Sequence, residues 1–379
     1  MDFLWSGLLS ITWQQVVMYV VGLLLIYLAI EKNYEPALLL PMGFGAILVN
    51  LPASGVLNQF MEGAGETHGI IQWLFESGIE ASEAFPLLLF IGIGAMIDFG
   101  PLLEKPWLML FGAAAQLGIF VTLVLAGLFF DLPDAASIAV IGAADGPTAI
   151  FVANTLGSKY LGAIMVAAYS YMALVPIVQP PVIRLCTTKK ERLIRMPYQK
   201  GNVSKTTKIL FPIVVTMLAG LVAPASVALV GFLMFGNLLR ECGVLNALSE
   251  TAQNVLANLI TIVLGLTVAG QMTADKFVQP DTLLILALGL VAFIFDTAGG
   301  VFFAKLLNLF LPEGKKINPM IGAAGISAFP MSGRVVNQMG LAEDNQNFLL
   351  MYSISVNVSG QIASVIAGGL ILTLMNGYV

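Results

Sequence analysis

The chain has 379 residues, of which 58% are hydrophobic and only 10% are Asp, Glu, Lys or Arg. Soluble domains carry about 25% charged residues, so this composition and a mean hydropathy of +0.91 exclude a soluble fold and predict an all-α protein that crosses a membrane several times. The net charge of −5 argues against nucleic-acid binding, and one histidine, His68, cannot form a histidine-based metal site.

The N-terminal part of the chain holds five apolar segments that we expect to cross the membrane. They are residues 16–30, 38–49, 85–105, 107–130 and 161–183. The second is short and is interrupted by Gly and Pro. Residues 51–82, between the second and third segments, contain Glu but no Lys or Arg, and we expect them to lie outside the cytoplasm.

A basic segment, residues 184–208, comes next and divides the sequence. It holds eight of the 17 Lys and Arg residues, and the positive-inside rule places it in the cytoplasm. Beyond it, five more crossings are predicted, at residues 209–222, 225–239, 257–272, 283–310 and 348–374. Residues 244–256 are polar enough that we expect them at a surface.

Two other apolar segments are broken by Gly and Pro. Residues 135–156 contain the sequence IGAADGPTA, and residues 318–340 contain IGAAGISAFP. Lipid tolerates irregular backbone only where protein or a water-filled cavity covers it. The similarity of these segments predicts two membrane repeats, residues 1–183 and 209–379, joined by the cytoplasmic loop 184–208.

The path of the broken segments decides how the two repeats are related. If each segment is re-entrant, each repeat has five crossings and the repeats are inverted. An external N-terminus then leaves Lys105, Arg240 and Lys315 in the cytoplasm with the basic loop. If the segments cross fully, each repeat has six crossings, the repeats are parallel and Lys315 lies outside. We prefer the inverted arrangement because it follows the charge rule better.

Asp145 is a carboxylate in the middle of the first broken segment. Gly146 and Pro147 follow it and interrupt the helix, which frees backbone carbonyl groups. A carboxylate with nearby carbonyl and hydroxyl oxygens is a hard ligand set that suits Na⁺ or H⁺ better than soft metals. The structural alternative is a buried Asp that only caps a half-helix.

The second half carries other polar groups at membrane depth. Arg334 suits an anionic carboxyl group; the structural alternative is a snorkelling or Asp-paired residue. Asn318 and Ser327 belong to the second broken segment, and Asn357 repeats the pattern in the last crossing, where packing between helices is the alternative role. Asp296 is a second intramembrane carboxylate. These residues alone indicate a cation-coupled membrane transporter that handles a carboxylate.

Four sequence motifs resemble the β subunit of sodium-pumping, biotin-dependent decarboxylases. They are GAADGPTAIF, YSYMALVPIVQPPV, FGNLLRECGV and NPMIGAAGISAFPMSGRVVNQMG. Members of that family serve oxaloacetate, methylmalonyl-CoA or glutaconyl-CoA decarboxylation. The resemblance implies a subunit that decarboxylates carboxybiotin and uses the released free energy to export Na⁺ while taking up a proton.

The resemblance also implies roles for individual residues. Asp145 is then a ligand that couples Na⁺ to protons, and Tyr171 takes part in proton delivery. Arg334 becomes a candidate for binding the carboxyl group of carboxybiotin. These three residues form the expected catalytic set.

Four more positions match the family as residues of the Na⁺ site or of its coupling. They are Asn318, Gly322, Ser327 and Asn357. Metal ligation itself is expected from Asp145, Asn318 and Asn357. The family motif around the last of these has a Gly-Pro break, whereas this chain reads SVNVSG, so the backbone there is expected to differ.

The family also implies partners and a cellular location. No Lys stands between two Met residues, the usual site of biotin attachment, so biotin must come from a separate carrier subunit. A carboxyltransferase α subunit, a small membrane subunit, a homotrimer in contact with lipid and a bacterial inner membrane are expected. The competing hypotheses are a stand-alone elevator-type Na⁺/carboxylate transporter and a structural subunit without an ion path.

Overall fold

The computed structural model describes residue 7 and residues 9–61, 65–197 and 201–375. Helices dominate these residues, as the composition predicts. The first half contains α1 (Trp13–Glu31), α2 (Pro36–Asn50), β1 (Asn58–Met61), β2 (Gly65–His68), α3 (Ile70–Phe75), α4 (Ala84–Met96), α5 (Gly100–Glu104), α6 (Met109–Ala115), α7 (Leu117–Ala126), α8 (Leu132–Ala139), α9 (Gly146–Thr155) and α10 (Leu161–Cys186). The two strands pair antiparallel, with Asn58 opposite His68.

The second half is helical in the described residues. It contains α11 (Lys189–Arg192), α12 (Lys205–Val222), α13 (Val227–Glu241), α14 (Asn246–Glu250), α15 (Ala257–Ala269), α16 (Ala274–Phe277), α17 (Pro280–Phe310), α18 (Met331–Glu343) and α19 (Leu350–Met375). Short 3₁₀ turns precede α6, α13 and α18 and follow α8, and π turns follow α3 and α14.

Seven helices among the described residues are long and apolar enough to span a membrane. They are Trp13–Glu31, Pro106–Ala126, Leu161–Cys186, Lys205–Val222, Asn246–Ala269, Pro280–Phe310 and Leu350–Met375. An eighth span results if Ile70–Glu80 and Ala84–Met96, which meet at a bend of 69°, are counted together. The prediction of an all-α protein with several membrane crossings is therefore confirmed.

The structure corrects two of the sequence-based expectations. Residues 244–256, expected at a surface, mostly belong to the span Asn246–Ala269. Their polar side chains bond within the helix: the Thr251 hydroxyl donates to the Ala247 carbonyl at 2.8 Å, which lowers the cost of placing this exposed side chain in lipid. Residues 38–49, expected to be broken, form a continuous helix around Pro41.

The first broken segment forms a hairpin, hairpin 1 (residues 132–157), whose two ends lie together. The Ser158 hydroxyl donates to Asp134 Oδ1 at 2.7 Å, and the Lys159 amide donates to the same oxygen at 3.1 Å. The Lys159 ammonium also pairs with Asp131 at 2.8 Å. The chain therefore enters and leaves this hairpin at one end of the helix bundle.

The second broken segment, hairpin 2 (residues 318–343), is closed in a similar way by the basic segment. Arg192 Nε pairs with Glu343 at 2.6 Å. The Arg192 carbonyl accepts hydrogen bonds from the side-chain amide of Asn318 at 2.9 Å and from that of Asn347 at 3.0 Å. A single residue thus contacts both ends of the hairpin.

The two hairpins enter the bundle from opposite ends. Helix α10 begins beside the ends of hairpin 1 and stops just before Arg192. Helix α17 runs in the same direction, because Asp281 at its start accepts a hydrogen bond from Tyr160 at 3.0 Å and Asn308 near its end bonds to Ile317 at 2.7 Å. The tips of the hairpins meet inside, where the Ser327 amide donates to the Ala143 carbonyl at 3.0 Å.

The opposite entry of the two hairpins predicts which positions are accessible to a labelling reagent from the same face of the membrane. Lys276 lines one surface cleft with His68 and another with Lys159, whereas Lys190 and Lys316 share a cleft at the other end. We expect cysteines at 68 and 159 to react with an impermeant maleimide from one face, and cysteines at 190 and 316 from the opposite face.

The labelling needs a background in which Cys186 and Cys242 are replaced by Ser. Intact cells and inverted vesicles that contain each single-cysteine protein give the two accessible faces separately. Labelling of Lys159→Cys and Lys190→Cys from the same face would show that the hairpins do not enter from opposite ends.

Candidate functional site

Asp145 lies at the tip of hairpin 1, where the 3₁₀ turn ends and α9 begins. Ala144 has φ of 52° and reverses the chain, and Pro147 suits the first turn of the helix that follows. Asp145 Oδ1 accepts the Thr148 amide at 3.4 Å, so Asp145 caps α9 as the structural alternative predicts. Capping leaves the other carboxylate oxygen for further contacts.

Two hydroxyl groups converge on this second oxygen. Thr148 Oγ1 and Ser364 Oγ each donate to Asp145 Oδ2 at 2.8 Å. Ser364 belongs to α19, so the tip of hairpin 1 is joined to the last helix. Asp145 is only 3% exposed. A buried carboxylate in a membrane protein must be compensated by a cation, a proton or hydrogen bonds.

Hairpin 2 and α19 together add three buried oxygen atoms that have no hydrogen-bond partner in the described part of the chain. Asn357 donates to the Ile326 carbonyl at 2.7 Å and Gln361 donates to the Ser327 carbonyl. Their amide oxygens, Asn357 Oδ1 and Gln361 Oε1, accept no hydrogen bond there. The Ser327 hydroxyl faces Asp145 without a well-formed hydrogen bond.

These oxygen atoms have the chemistry of a site for a hard cation. A carboxylate, hydroxyls and amide oxygens are ligands that alkali and alkaline-earth ions prefer to soft ligands. Buried polar atoms without partners are unusual and call for an explanation such as an ion or water. The arrangement therefore fits a small cation between the two hairpin tips and α19.

A cavity of about 160 Å³ opens beside the hairpin tips. Its buried part includes Asp145, Ser327 and Gln361, each less than 5% exposed. Its more exposed wall includes Met96 and Asn258. The remaining lining residues are Glu35, Ala37, Leu38, Leu89, Ile93, Pro147, Tyr169, Met172, Ala257, Thr261, Leu264, Phe329 and Pro330. The cavity thus lies between the hairpins on one side and α2, α4 and α15 on the other.

The structure brings Asp145 and Ser327 together at the hairpin tips. Asn357 lies nearby, bonded to Ile326 beside Ser327, and the other predicted site residues lie elsewhere. Arg334 lies in the first turn of α18 and is exposed. Its position is one turn after Pro330, which lines the cavity, so the two residues share a helix face.

Tyr171 faces away from the cavity, whereas its neighbour Tyr169 lines it. The Tyr171 hydroxyl donates to the Leu286 carbonyl in α17, and its ring stacks on Phe293 with 6.5 Å between centroids. The Tyr169 ring lies against Gly146, so close that a Cβ atom at that position would be 2.6 Å from the ring. The Tyr169 hydroxyl is buried without a hydrogen-bond partner in the described residues.

Asn318 and Gly322 hold hairpin 2 in position. The Asn318 side-chain amide donates to the carbonyls of Arg192 and Ile194 at 2.9 and 2.8 Å, and its oxygen accepts the Met320 amide at 3.1 Å. Gly322 packs against Gly300 so tightly that a Cβ atom on either residue would be 2.0 Å from the carbonyl oxygen of the other. Both contacts fix the segment that carries Ser327.

Asp296 is fully buried in α17, outside the cavity lining. Its Oδ1 accepts the Gly118 amide at 2.5 Å, where the span Pro106–Ala126 is interrupted at Gln116. The carboxylate therefore caps the N-terminus of α7 from another helix.

Three residues of the site, Tyr169, Gln361 and Ser364, were missed by the sequence analysis. Gln361 and Ser364 follow Asn357 by four and seven positions. This is the spacing of one helix face, so the periodicity of the last crossing was a usable signal. For Tyr169, no signal in the sequence shows which of two nearby tyrosines faces the hairpins.

Comparison with known proteins gives a consistent family. The family model described as the Na⁺-transporting oxaloacetate decarboxylase beta subunit matches residues 14–375. The oxaloacetate decarboxylase beta chain of Klebsiella pneumoniae is 46% identical, covering 97% of this chain and 96% of the relative. The methylmalonyl-CoA decarboxylase subunit beta of Propionigenium modestum is 45% identical over 99% and 98%. The glutaconyl-CoA decarboxylase subunit beta of Acidaminococcus fermentans is 47% identical over 98% and 96%.

The different surroundings of Tyr169 and Tyr171 predict that replacing each by Phe has a different effect on stability. Tyr171→Phe removes a hydrogen bond and should destabilise the protein by about 1 kcal/mol. Tyr169→Phe removes a buried hydroxyl that has no partner, so the midpoint of thermal unfolding in detergent should stay the same or rise. An equal loss of stability in both variants would mean that the Tyr169 hydroxyl is bonded in the folded protein.

Proposed function

Because the chain belongs to the family of Na⁺-transporting decarboxylase beta subunits, we propose that it decarboxylates carboxybiotin and couples this reaction to Na⁺ export and proton uptake. It is a multi-pass membrane subunit of a decarboxylase. The relatives named above are decarboxylase subunits, so a stand-alone Na⁺/carboxylate transporter is not favoured. Carboxybiotin is the substrate that a separate biotin carrier subunit would deliver.

The observation that carries this proposal is the convergence of Asp145 with unpartnered oxygens at the hairpin tips. Asp145 Oδ2, Ser327 Oγ and the Gln361 amide oxygen would supply Na⁺ ligands at the cavity, and Asn357 Oδ1, one turn before Gln361 on α19, would supply a further one. Asn318 and Gly322 would act through the position of hairpin 2 rather than through direct ligation. Their contacts with the basic segment and with α17 support that role.

Coupling would follow from competition between Na⁺ and a proton at Asp145. A negative charge at this depth is costly even with hydrogen bonds, so the carboxylate would hold Na⁺ in one state and a proton in the other. Tyr171 is the proposed proton-delivery residue by family resemblance, and its contact with α17 supports a route on the side away from the cavity. Moving one net charge outward against about 100 mV costs roughly 2.3 kcal/mol.

The cavity would favour decarboxylation by the contrast between its exposed and buried parts. The Arg334 guanidinium would bind the carboxyl group of the substrate in a bidentate way and stabilise it while it is charged. Buried apolar side chains, among them Leu38, Leu89 and Leu264, also line the cavity and would remove water from that carboxylate. The C–N bond would break with its electron pair left on the ureido nitrogen, which takes a proton as CO₂ leaves.

The same proposal extends to the arrangement of the complex. Residues 1–183 and 209–379 would be inverted repeats around the cytoplasmic segment 184–208, which the opposite entry of the hairpins supports. A carboxyltransferase α subunit would load the biotin carrier, and a small membrane subunit would join the assembly. A homotrimer in a bacterial inner membrane is the proposed state.

Replacing the central carboxylate tests the ion site. In Asp145→Asn the amide oxygen can still accept hydrogen bonds from Thr148 and Ser364, so the protein should fold. The charge that holds Na⁺ is absent, and we expect Na⁺-stimulated decarboxylation and Na⁺ transport both to be lost. The measurement is CO₂ release against Na⁺ concentration in the reconstituted complex.

Ser364→Ala provides a graded control for the same site. It removes one hydrogen bond to a charged group, worth about 1.5–3 kcal/mol, and should raise the Na⁺ concentration for half-maximal activity by about tenfold or more.

Normal Na⁺ dependence in a folded Asp145→Asn protein would remove Asp145 from the ion site.

A further inference from the structure

Glu35 is a charged residue that lines the same cavity as Asp145 from the opposite wall. It lies in the turn between α1 and α2, and its backbone has φ of 35° and ψ of 61°. This left-handed conformation is unfavourable for a residue with a side chain. The Glu35 carbonyl accepts the amides of Leu38 and Leu39 at 3.0 Å, and these bonds fix the turn so that the side chain faces the cavity.

The Glu35 carboxylate makes no hydrogen bond or ion pair with any residue that the structure describes. Electrostatically it interacts with the Arg334 guanidinium, which lies beyond salt-bridge distance. Arg334 likewise has no ion pair within the described ranges. Two opposite charges from different parts of the chain therefore lie near one cavity without neutralising each other directly.

The geometry points to Glu35 as the residue that recognises the ureido N–H of carboxybiotin, while Arg334 binds its carboxylate; this inference rests on the proposed function. The carboxylated ureido ring carries an anionic group on one nitrogen and a hydrogen-bond donor on the other. A carboxylate accepts from an N–H group, and a guanidinium matches a carboxylate. The apolar side chains of Leu38, Ile93 and Phe329 line the same cavity as Glu35 and suit the ring.

This pair of charges would give the site specificity as well as affinity. A carboxylate ligand without a suitably placed donor would leave Glu35 desolvated and unpaired, which a binding site penalises strongly. Simple organic acids would also be repelled by the Glu35 charge. Glu35 is thus a specificity-determining residue, and Asp145 remains the residue of the ion site.

The test compares carboxybiotin with an analogue that is methylated on the second ureido nitrogen and so lacks the N–H group. CO₂ release is measured for both compounds with the purified full chain in proteoliposomes at saturating Na⁺. In the unmodified protein, kcat/KM for carboxybiotin should exceed that for the analogue by about 10- to 100-fold, the range for a hydrogen bond to a charged group. In Glu35→Ala this ratio should fall to about one, mainly through KM for carboxybiotin.

Matched variants separate recognition from general effects. Glu31→Ala removes the same charge from an exposed position at the end of α1 and should keep the full ratio. Arg334→Ala should lower kcat/KM for both compounds and leave their ratio unchanged. Glu35→Gln keeps an acceptor oxygen and should give an intermediate ratio, which provides a second measurement if Glu35→Ala does not fold.

The outcomes distinguish this inference from the function on which it rests. If the unmodified protein releases no CO₂ from carboxybiotin, the proposed function fails and the role of Glu35 fails with it. If the unmodified protein is active but Glu35→Ala and Glu35→Gln keep its preference for carboxybiotin, only the recognition role is overturned.

Discussion

Every backbone polar group at membrane depth must find a partner inside the protein, and this constraint shapes the site. The hairpin tips break two helices and expose carbonyl and amide groups. The protein supplies their partners by placing the tips against each other and against α19. The bond from the Ser327 amide to the Ala143 carbonyl and those from Asn357 and Gln361 to hairpin 2 meet this need. The same bonds leave side-chain oxygens beside Asp145, so backbone satisfaction and ion ligation share one set of residues.

The position of the tips depends on charged groups far from them. Hydrogen bonds to Asp134 hold the two ends of hairpin 1 together. Arg192 holds the two ends of hairpin 2 together through an ion pair and a hydrogen bond. Asp134 is only 4% exposed, so its charge is stabilised by the groups that it holds. Near the ends of hairpin 2, the hydrogen bond from Arg195 lowers the pKa of Asp344. Helices α10 and α17 separate the two sets of ends, and the tips meet between them. The cavity is the space that remains beside this meeting point.

Sequence reasoning found the elements whose signal is local. The sequence shows the broken apolar segments, the carboxylate next to Gly and Pro, and the basic loop without a fold. Asp145 and Ser327, both predicted as site residues, line one cavity in the structure. Tyr169 and Tyr171 are two positions apart on one helix, where side chains point in widely different directions, so only packing decides which faces the hairpins. Glu35 is separated from Asp145 by 110 positions, and only the folded chain shows that the two residues line one cavity.

Coupled measurement of Na⁺ movement and CO₂ release tests the central claim most directly. Inverted vesicles containing the purified chain receive the biotin carrier loaded as carboxybiotin, and uptake of radioactive Na⁺ is followed together with CO₂. We expect uptake that begins with carboxybiotin, keeps pace with CO₂ release and stops when avidin sequesters biotin. Uptake that ignores avidin and responds instead to a carboxylate gradient would contradict the account and indicate a secondary transporter.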